Sequence, residues 1–324
     1  MLSRRYGSPD VLQFEETAKP VPTDNQVLIK VYASSVNAYD WHMLRADPFI
    51  VRLMGGGFIK PKIQILGADV AGRVEAVGRN VKQFKPGDGV FGDLTSSGCG
   101  GFAEYVCARD DAIVPMPQSA TFEESAAIPL AAMTALQALR NNGHIQQGQQ
   151  VLIEGASGGV GTFAVQIAKA FDTEVTAVCS TRNVELAHSL GADHVIDYTK
   201  EDFARSERRF DLIFAANGYH SLFEYKRALK DNGTFVMSGG SGPLSLQTVL
   251  FGRLISATGN KKMGMMLTHL NKQDLIFLKD LVDAGKIKPV IDRTYKLSDV
   301  PDAIRYLEEG HARGKVVIEV ESDS

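Results

Sequence analysis

A chain of 324 residues and 35.2 kDa is about twice the ~150 residues of a typical domain, so two domains are expected. The 44% hydrophobic and 23% charged shares are ordinary for a globular protein with a sizeable core. With 35 Lys+Arg against 38 Asp+Glu, the formal charge is -3 and offers no basic excess to hold nucleic acid. Cys99, Cys107 and Cys179 form no CxxC and no even-numbered framework, which excludes a disulfide-built secreted domain. The apolar stretch Ala126 to Met133 is short and interrupted by Pro129, so no membrane span is expected. The two arginines near Met1 are not followed by an apolar leader core, and a cytoplasmic protein is the expectation.

In chain order, Val11 to Glu16 reads as a first strand. Val27 to Tyr32, Ala71 to Val77 and Gly89 to Phe91 follow, separated by Gly, Pro, Asn and Asp turns. Short strands at this spacing predict a β-rich, barrel-like domain over residues 1–123. Thr121-Phe-Glu-Glu124 carries a capping-box pattern that predicts a helix start. Strands are then expected to begin at Val151, Val175, His194, Asp211 and Thr234, leaving room for one crossover helix each. That alternation predicts an α/β unit with a helix-covered parallel sheet over 124–261. The remainder, 262–324, contains helices at Asp274 to Ala284 and Val300 to Glu309 and a strand at Lys315 to Glu319. It is expected to pack back onto the first domain.

The segment Glu154-Gly-Ala-Ser-Gly-Gly-Val-Gly161 joins the apolar strand at Val151 to a helix with Val160, Ala164, Ile167 and Phe171 on one face. Glycines allow a tight turn and close approach to a pyrophosphate, while the helix N-terminus favours its charge. The spacing is GxxGxxG rather than GxGxxG. At the end of the next strand, Ser180-Thr-Arg-Asn183 stands where a carboxylate would select a ribose 2′-hydroxyl. Two hydroxyls and a guanidinium favour a 2′-phosphate, hence NADPH over NADH. The same residues also suit a helix cap, and the two roles are compatible.

Asn37-Ala-Tyr-Asp40, Pro86-Gly-Asp88, Gly101-Phe-Ala-Glu-Tyr105, the glycine-rich loop, Leu190 to Tyr198 and Arg313-Gly-Lys-Val-Val317 occur in order. Together they resemble the quinone oxidoreductase branch of the medium-chain dehydrogenases/reductases along essentially the whole chain. The resemblance implies a GroES-like β-rich catalytic domain, completed by the C-terminal tail, and a doubly wound Rossmann domain. It also implies NADPH-dependent reduction of quinones or α,β-unsaturated carbonyls (enals and enones), in a homodimer. A short-chain dehydrogenase is disfavoured, because no Tyr-x-x-x-Lys occurs.

Zinc alcohol dehydrogenases share this layout but place Cys and His ligands in segments that here read Val36-Asn-Ala-Tyr-Asp40, Leu66-Gly-Ala-Asp69 and Leu130-Ala-Ala-Met133, without a thiol or imidazole. A zinc-free site is therefore expected. Hydride addition to a quinone or enone generates a phenolate- or enolate-like oxygen, which hydrogen-bond donors stabilise without a metal. The family positions implicate Asn37 and His42 on the substrate and nicotinamide side. His42 reads either as a proton donor or as a cofactor-contacting histidine. Gly158, Gly159, Val160, Ser180, Arg182 and Tyr198 are implicated around the diphosphate and adenosine phosphate. Thr134, Met237, Ser238 and Gly239 are expected near the nicotinamide and its ribose, with Gly314 and Lys315 closing from the tail. Residues 49–58 read either as a lid or as a long surface loop. The alternative function is an NADPH-binding regulatory or structural protein without turnover.

Overall fold

The computed structural model describes residues 1–49, 51–52 and 57–320. In chain order the principal strands are Gln26–Val36 (β1), Asp69–Val77 (β2), Gly89–Asp93 (β3), Tyr105–Arg109 (β4) and Ile113–Pro115 (β5). Then come Gln150–Glu154 (β6), Glu174–Cys179 (β7), His194–Asp197 (β8), Phe210–Ala215 (β9), Leu229–Met237 (β10), Lys262–Met265 (β11), Ile291–Lys296 (β12) and Lys315–Glu319 (β13). The helices that matter below are Ala38–Arg45 (α1), Gly159–Ala170 (α2) and Gly242–Thr258 (α3).

Contacts divide the chain into two units. The first comprises 1–130, 270–284 and 289–324; the second comprises 131–269 and 285–288. Residues 124–130, 262–269 and 285–288 thus lie on the opposite side of the division from the boundaries drawn on sequence. A short helix, Phe122–Ala126, starts on the expected capping box, with the Thr121 hydroxyl accepting from Glu124 N. It lies with the β-rich strands of the first unit, so its start does not mark the second.

In the first unit a seven-stranded sheet runs β12-β13-β1-β2-β3-β5, with β4 paired to β1. Val27, Ile29 and Val31 alternate along β1 and meet Val70, Val74, Val90 and Ile113 in one apolar cluster. The tail strand β13 pairs antiparallel with β1, Val316 opposite Val36. This register brings Lys315, nearly 280 residues distant in sequence, against the end of β1. The expected first strand is shorter than read: only Leu12–Gln13 pairs, with Leu2–Ser3. Beyond it Phe14 is exposed and Glu15 turns to Arg4.

The second unit holds six parallel strands in the order β8-β7-β6-β9-β10-β11. The chain moves outward from β6 in both directions, a doubly wound sheet whose switch point lies beside β6. Leu152, Val178, Ile213 and Phe235 fill the core on one face of it. Strand β11 was not foreseen. Its Lys-Met-Gly-Met pattern is short, and tertiary pairing with β10 makes it a strand. Helix α3 approaches it closely at Gly252, where a Cβ would lie 2.9 Å from the Met263 carbonyl oxygen.

Candidate functional site

In the second unit, β6 ends at Glu154 and the chain turns through Gly155, at φ +77°, into α2. Gly158 is the N-cap, so the first backbone N–H groups of α2 have no side-chain cap. A Cβ at Gly161 would lie 2.0 Å from the Gly155 carbonyl oxygen, so only glycine lets the helix start this close to the strand. A Cβ on Gly158 would instead meet nothing nearer than 3.6 Å, leaving a cradle on the loop's outer side. Gly158, Gly159 and Val160 are all partly accessible there. Uncapped N–H groups, an open cradle and a helix N-terminus suit a pyrophosphate.

Ser180, Thr181 and Arg182 follow β7, and buried Asn183 ties the two loops together. Its Nδ2 donates to Ser157 Oγ at 2.9 Å and to Ser180 Oγ at 3.1 Å. One reading is corrected here. The Thr181 hydroxyl donates to Asp197 Oδ2 at 2.6 Å, so it is occupied within the protein. The Asp197 carboxyl is held well below the usual range, chiefly by that bond, with Thr199 and Lys200 contributing. Ser180 and the exposed Arg182 are the other groups of this segment with chemistry suited to a phosphate. Tyr198, 59% exposed, stands just past β8.

The other positions expected in this unit behave differently. Met237 ends β10 with its side chain in the core and its carbonyl oxygen accepting from Met266 N at 2.9 Å. Ser238 and Gly239 follow it and are partly accessible, with Ser238 N bonded to the Ala215 carbonyl. Thr134 is buried, its hydroxyl 2.7 Å from that of Thr268.

In the first unit, Asn37 caps α1. Its backbone N–H donates to Asp40 Oδ2 at 2.8 Å. Its side-chain amide donates to Asp69 Oδ2 at 2.8 Å, and its carbonyl oxygen accepts from Lys315 Nζ. Both ends of the amide are therefore occupied within the protein, and Asn37 holds the start of α1 to β2 and β13. Asp69, fully buried, also accepts from Ser35 Oγ at 2.5 Å and Leu130 N at 2.9 Å. Lys315 is buried with it, its Nζ 3.4 Å from Asp69 Oδ2. Burial pulls the ammonium's pKa down, against the opposing pull of Asp69 and Asp40. Burial pushes Asp40 up to about 7 despite the N–H groups of Asn37 and Gly67. Gly314, at φ +123°, would set a Cβ 2.3 Å from the Val290 carbonyl oxygen, which makes it a packing glycine.

His42 lies on α1 with its Nδ1 against the Asp47 carbonyl oxygen and its ring tilted 30° against Trp41, centroids 3.6 Å apart. A carbonyl facing Nδ1 requires a proton there, so Nε2 is an acceptor on the neutral ring and a donor only on the imidazolium. Tyr39 escaped the sequence reading. Its half-buried hydroxyl has one partner among the described residues, the Cys99 thiol at 3.9 Å. Burial and the neighbouring Cys99 push its pKa upward, keeping the phenol a donor at neutral pH. No sequence signal separates it from a packing aromatic. Of the segment 49–58, positions 50 and 53–56 lie outside the described residues; Phe49 and Phe58 meet edge to face at 6.1 Å.

Comparisons with known proteins are consistent across the chain. Residues 23–118 match the alcohol dehydrogenase GroES-like domain and residues 190–318 the zinc-binding dehydrogenase model. A chloroplast envelope quinone oxidoreductase homolog of Arabidopsis thaliana is 37% identical over 325 residues, 95% of this chain and 94% of its own. The mitochondrial NAD(P)H oxidoreductase RTN4IP1 of Homo sapiens is 35% identical over 350 residues, 98% of this chain and 87% of its own. Among solved structures, the quinone oxidoreductase from Coxiella burnetii superposes with a TM-score of 0.85 at 32% identity, covering 99% of this chain and 98% of that one.

Proposed function

Because the chain belongs to the quinone oxidoreductase branch of the medium-chain dehydrogenases/reductases, an NAD(P)H oxidoreductase family, we propose that it is a zinc-independent, NADPH-dependent reductase of quinones or α,β-unsaturated carbonyls. The observation that carries this reading is the paired loops of the second unit. Asn183 joins Ser157 to Ser180, and the loop after β7 presents Ser180 and Arg182 with no carboxylate of its own. Backbone N–H groups at the start of α2 hold the pyrophosphate, and Arg182 with Ser180 holds the 2′-phosphate. Thr134, Tyr198, Met237 backbone, Ser238 and Gly239 complete the cofactor's surroundings in this reading. When bound, the dihydronicotinamide supplies the hydride.

The acceptor's developing oxyanion is stabilised by donors on α1, Tyr39 and His42, which Asn37, Asp69 and Lys315 hold in place. An enolate or phenolate oxygen needs only such donors, since a phenol has a pKa of about 10. Zinc independence rests on the donor set. Among the described residues no cluster of three His, Cys, Asp or Glu is arranged to hold a metal. The ammonium of Lys315 stands instead between Asn37 and Asp69.

A homodimer belongs to the same proposal. Leu246, Val249, Leu250, Phe251 and Leu254 lie along α3 and are 40–62% exposed. They flank β11, an edge strand whose open backbone suits a second copy of the same strand. Three unpaired cysteines support a reducing, cytoplasmic setting, and no described helix is long and apolar enough to cross a membrane.

The test is NADPH oxidation, followed by absorbance, against a panel of ortho- and para-quinones, enals and enones, before and after exhaustive chelation. Turnover with one acceptor class, unchanged by chelation, is expected. NADPH binding without turnover on any acceptor would favour the regulatory alternative. Arg182→Asp is expected to weaken NADPH at least tenfold, charge-assisted bonds contributing roughly 1.5–3 kcal/mol, and to leave NADH nearly unchanged. Equal dissociation constants for the two cofactors in the unaltered protein would overturn the NADPH assignment.

A further inference from the structure

Glu154 sits at the root of the glycine-rich loop and is only 4% exposed. A buried carboxylate is an unfavourable neighbour for a loop that receives a pyrophosphate, and none of the residues assigned to the cofactor explains it. Its surroundings do. His220 Nδ1 lies 3.0 Å from Glu154 Oε1, and Tyr225 donates its hydroxyl to Oε2. The other imidazole nitrogen, His220 Nε2, lies 3.0 Å from Asp202 Oδ1. A neutral imidazole has one N–H and one lone pair, so it satisfies only one of these carboxylates and repels the other. Both carboxylates at 3.0 Å are satisfied as acceptors only when both nitrogens donate, the arrangement of an imidazolium.

We propose that His220 is a positioning residue for the dinucleotide: its cation cancels the buried charge of Glu154 and ties the root of the glycine-rich loop to the segment after β9. This rests on the cofactor reading above. The joined segments also touch directly, since a Cβ on Gly155 would meet Asn217 at 3.1 Å and the Ala216 N–H donates to the Glu154 carbonyl. The charged and titratable groups facing the ring are Glu154 from β6, Asp202 with Arg205 beyond it, and Tyr225 and Glu224 from the helix Leu222–Ala228. Phe203 covers the ring at 4.4 Å. The net effect of Glu154 and Asp202 raises the histidine's pKa against the desolvation that lowers it. The cation thus persists above the ordinary histidine range, and is lost as pH rises further.

The experiment is calorimetric titration of the full chain with NADPH between about pH 6 and pH 9, using the unaltered protein, His220→Gln and the double variant Glu154→Gln/His220→Gln. At pH 7, His220→Gln is expected to weaken NADPH about tenfold, the scale of one unit charge at ~10 Å and an effective dielectric of ~20. The double variant, which removes both charges, is expected to recover most of that loss. Unaltered protein should lose affinity relative to the double variant as pH rises; comparing proteins at one pH removes the titration of the ligand's own phosphate. Equal losses in the single and double variants would show packing alone and overturn the proposal, as would a pH-independent ratio. If His220→Gln fails to fold, the imidazole carbon shifts of the unaltered protein decide, and a neutral ring at pH 7 overturns it. Absence of NADPH binding by the unaltered protein at every pH would fell the cofactor reading itself. Intact binding with no effect of His220→Gln fells only this inference.

Discussion

The cofactor loop of the second unit and the start of α1 in the first are built by opposite means. The loop is backbone: Gly155 turns it, Gly161 admits the helix, and N–H groups provide its ligating surface. The start of α1 is side chain: Asn37 and Asp40 at the helix start, Asp69 from β2 and Lys315 from β13 come from three segments and hold one another in a buried polar knot. A backbone site depends on the absence of side chains and tolerates most neighbours. A polar knot depends on every member, because each group buried without its partner keeps its desolvation cost.

The sharpest test of that contrast is Lys315→Met. Removing the cation leaves Asp69 and the Asn37 amide facing an apolar side chain, and the unfolding free energy in urea is expected to fall by about 3–5 kcal/mol. A loss below ~1 kcal/mol would mean that water reaches the knot and that it does not act as a unit.

A second test uses Asp40. Its folded-state pKa of about 7 lies above the ordinary aspartate value, so the native state holds this proton more tightly than the unfolded chain. Ionising it therefore costs stability as pH rises from ~4 towards ~7. Asp40→Asn loses one of the two N–H acceptors, an offset that does not titrate. Relative to that variant, the unaltered protein should lose about 2–3 kcal/mol between pH 5 and pH 8. A pH-independent difference between the two proteins would place Asp40 in contact with solvent or with a stronger cation.

The smallest expected effect on stability belongs to the backbone site. Gly161→Ala places a methyl 2.0 Å from the Gly155 carbonyl oxygen, where backbone must move. The cost is about 1–3 kcal/mol, yet NADPH affinity should fall at least tenfold, because the displaced atoms form the site. Unchanged affinity in a stable Gly161→Ala protein would mean the loop does not hold the cofactor.

This contrast also explains what was legible. The glycine pattern Gly155, Gly158, Gly161 was readable because its constraint is local: strand, turn and helix occupy consecutive residues. The capping box at Thr121 was readable for the same reason. The partners of Asn37 were not legible, since nothing near it in sequence shows that Lys315 and Asp69 take both ends of its amide. Thr181 was misread, its hydroxyl turned to Asp197 across the β7–β8 pair. Strand β11 was missed because a four-residue edge strand is defined by its neighbour rather than by its own pattern.

Sequence by itself determined the two-part architecture, the parallel doubly wound sheet, the glycine-rich loop and the family. Each follows from periodicity or glycine placement within a few dozen residues, or from the order of short local motifs along the chain. Tertiary structure alone decided which polar side chains remain available for a ligand. Hydrogen-bond partners such as Glu154 and His220, or Asn37 and Lys315, lie 66 and 278 residues apart. Only the folded register of β13 on β1, and of β6 beside β9, sets whether such a donor faces a ligand or another residue.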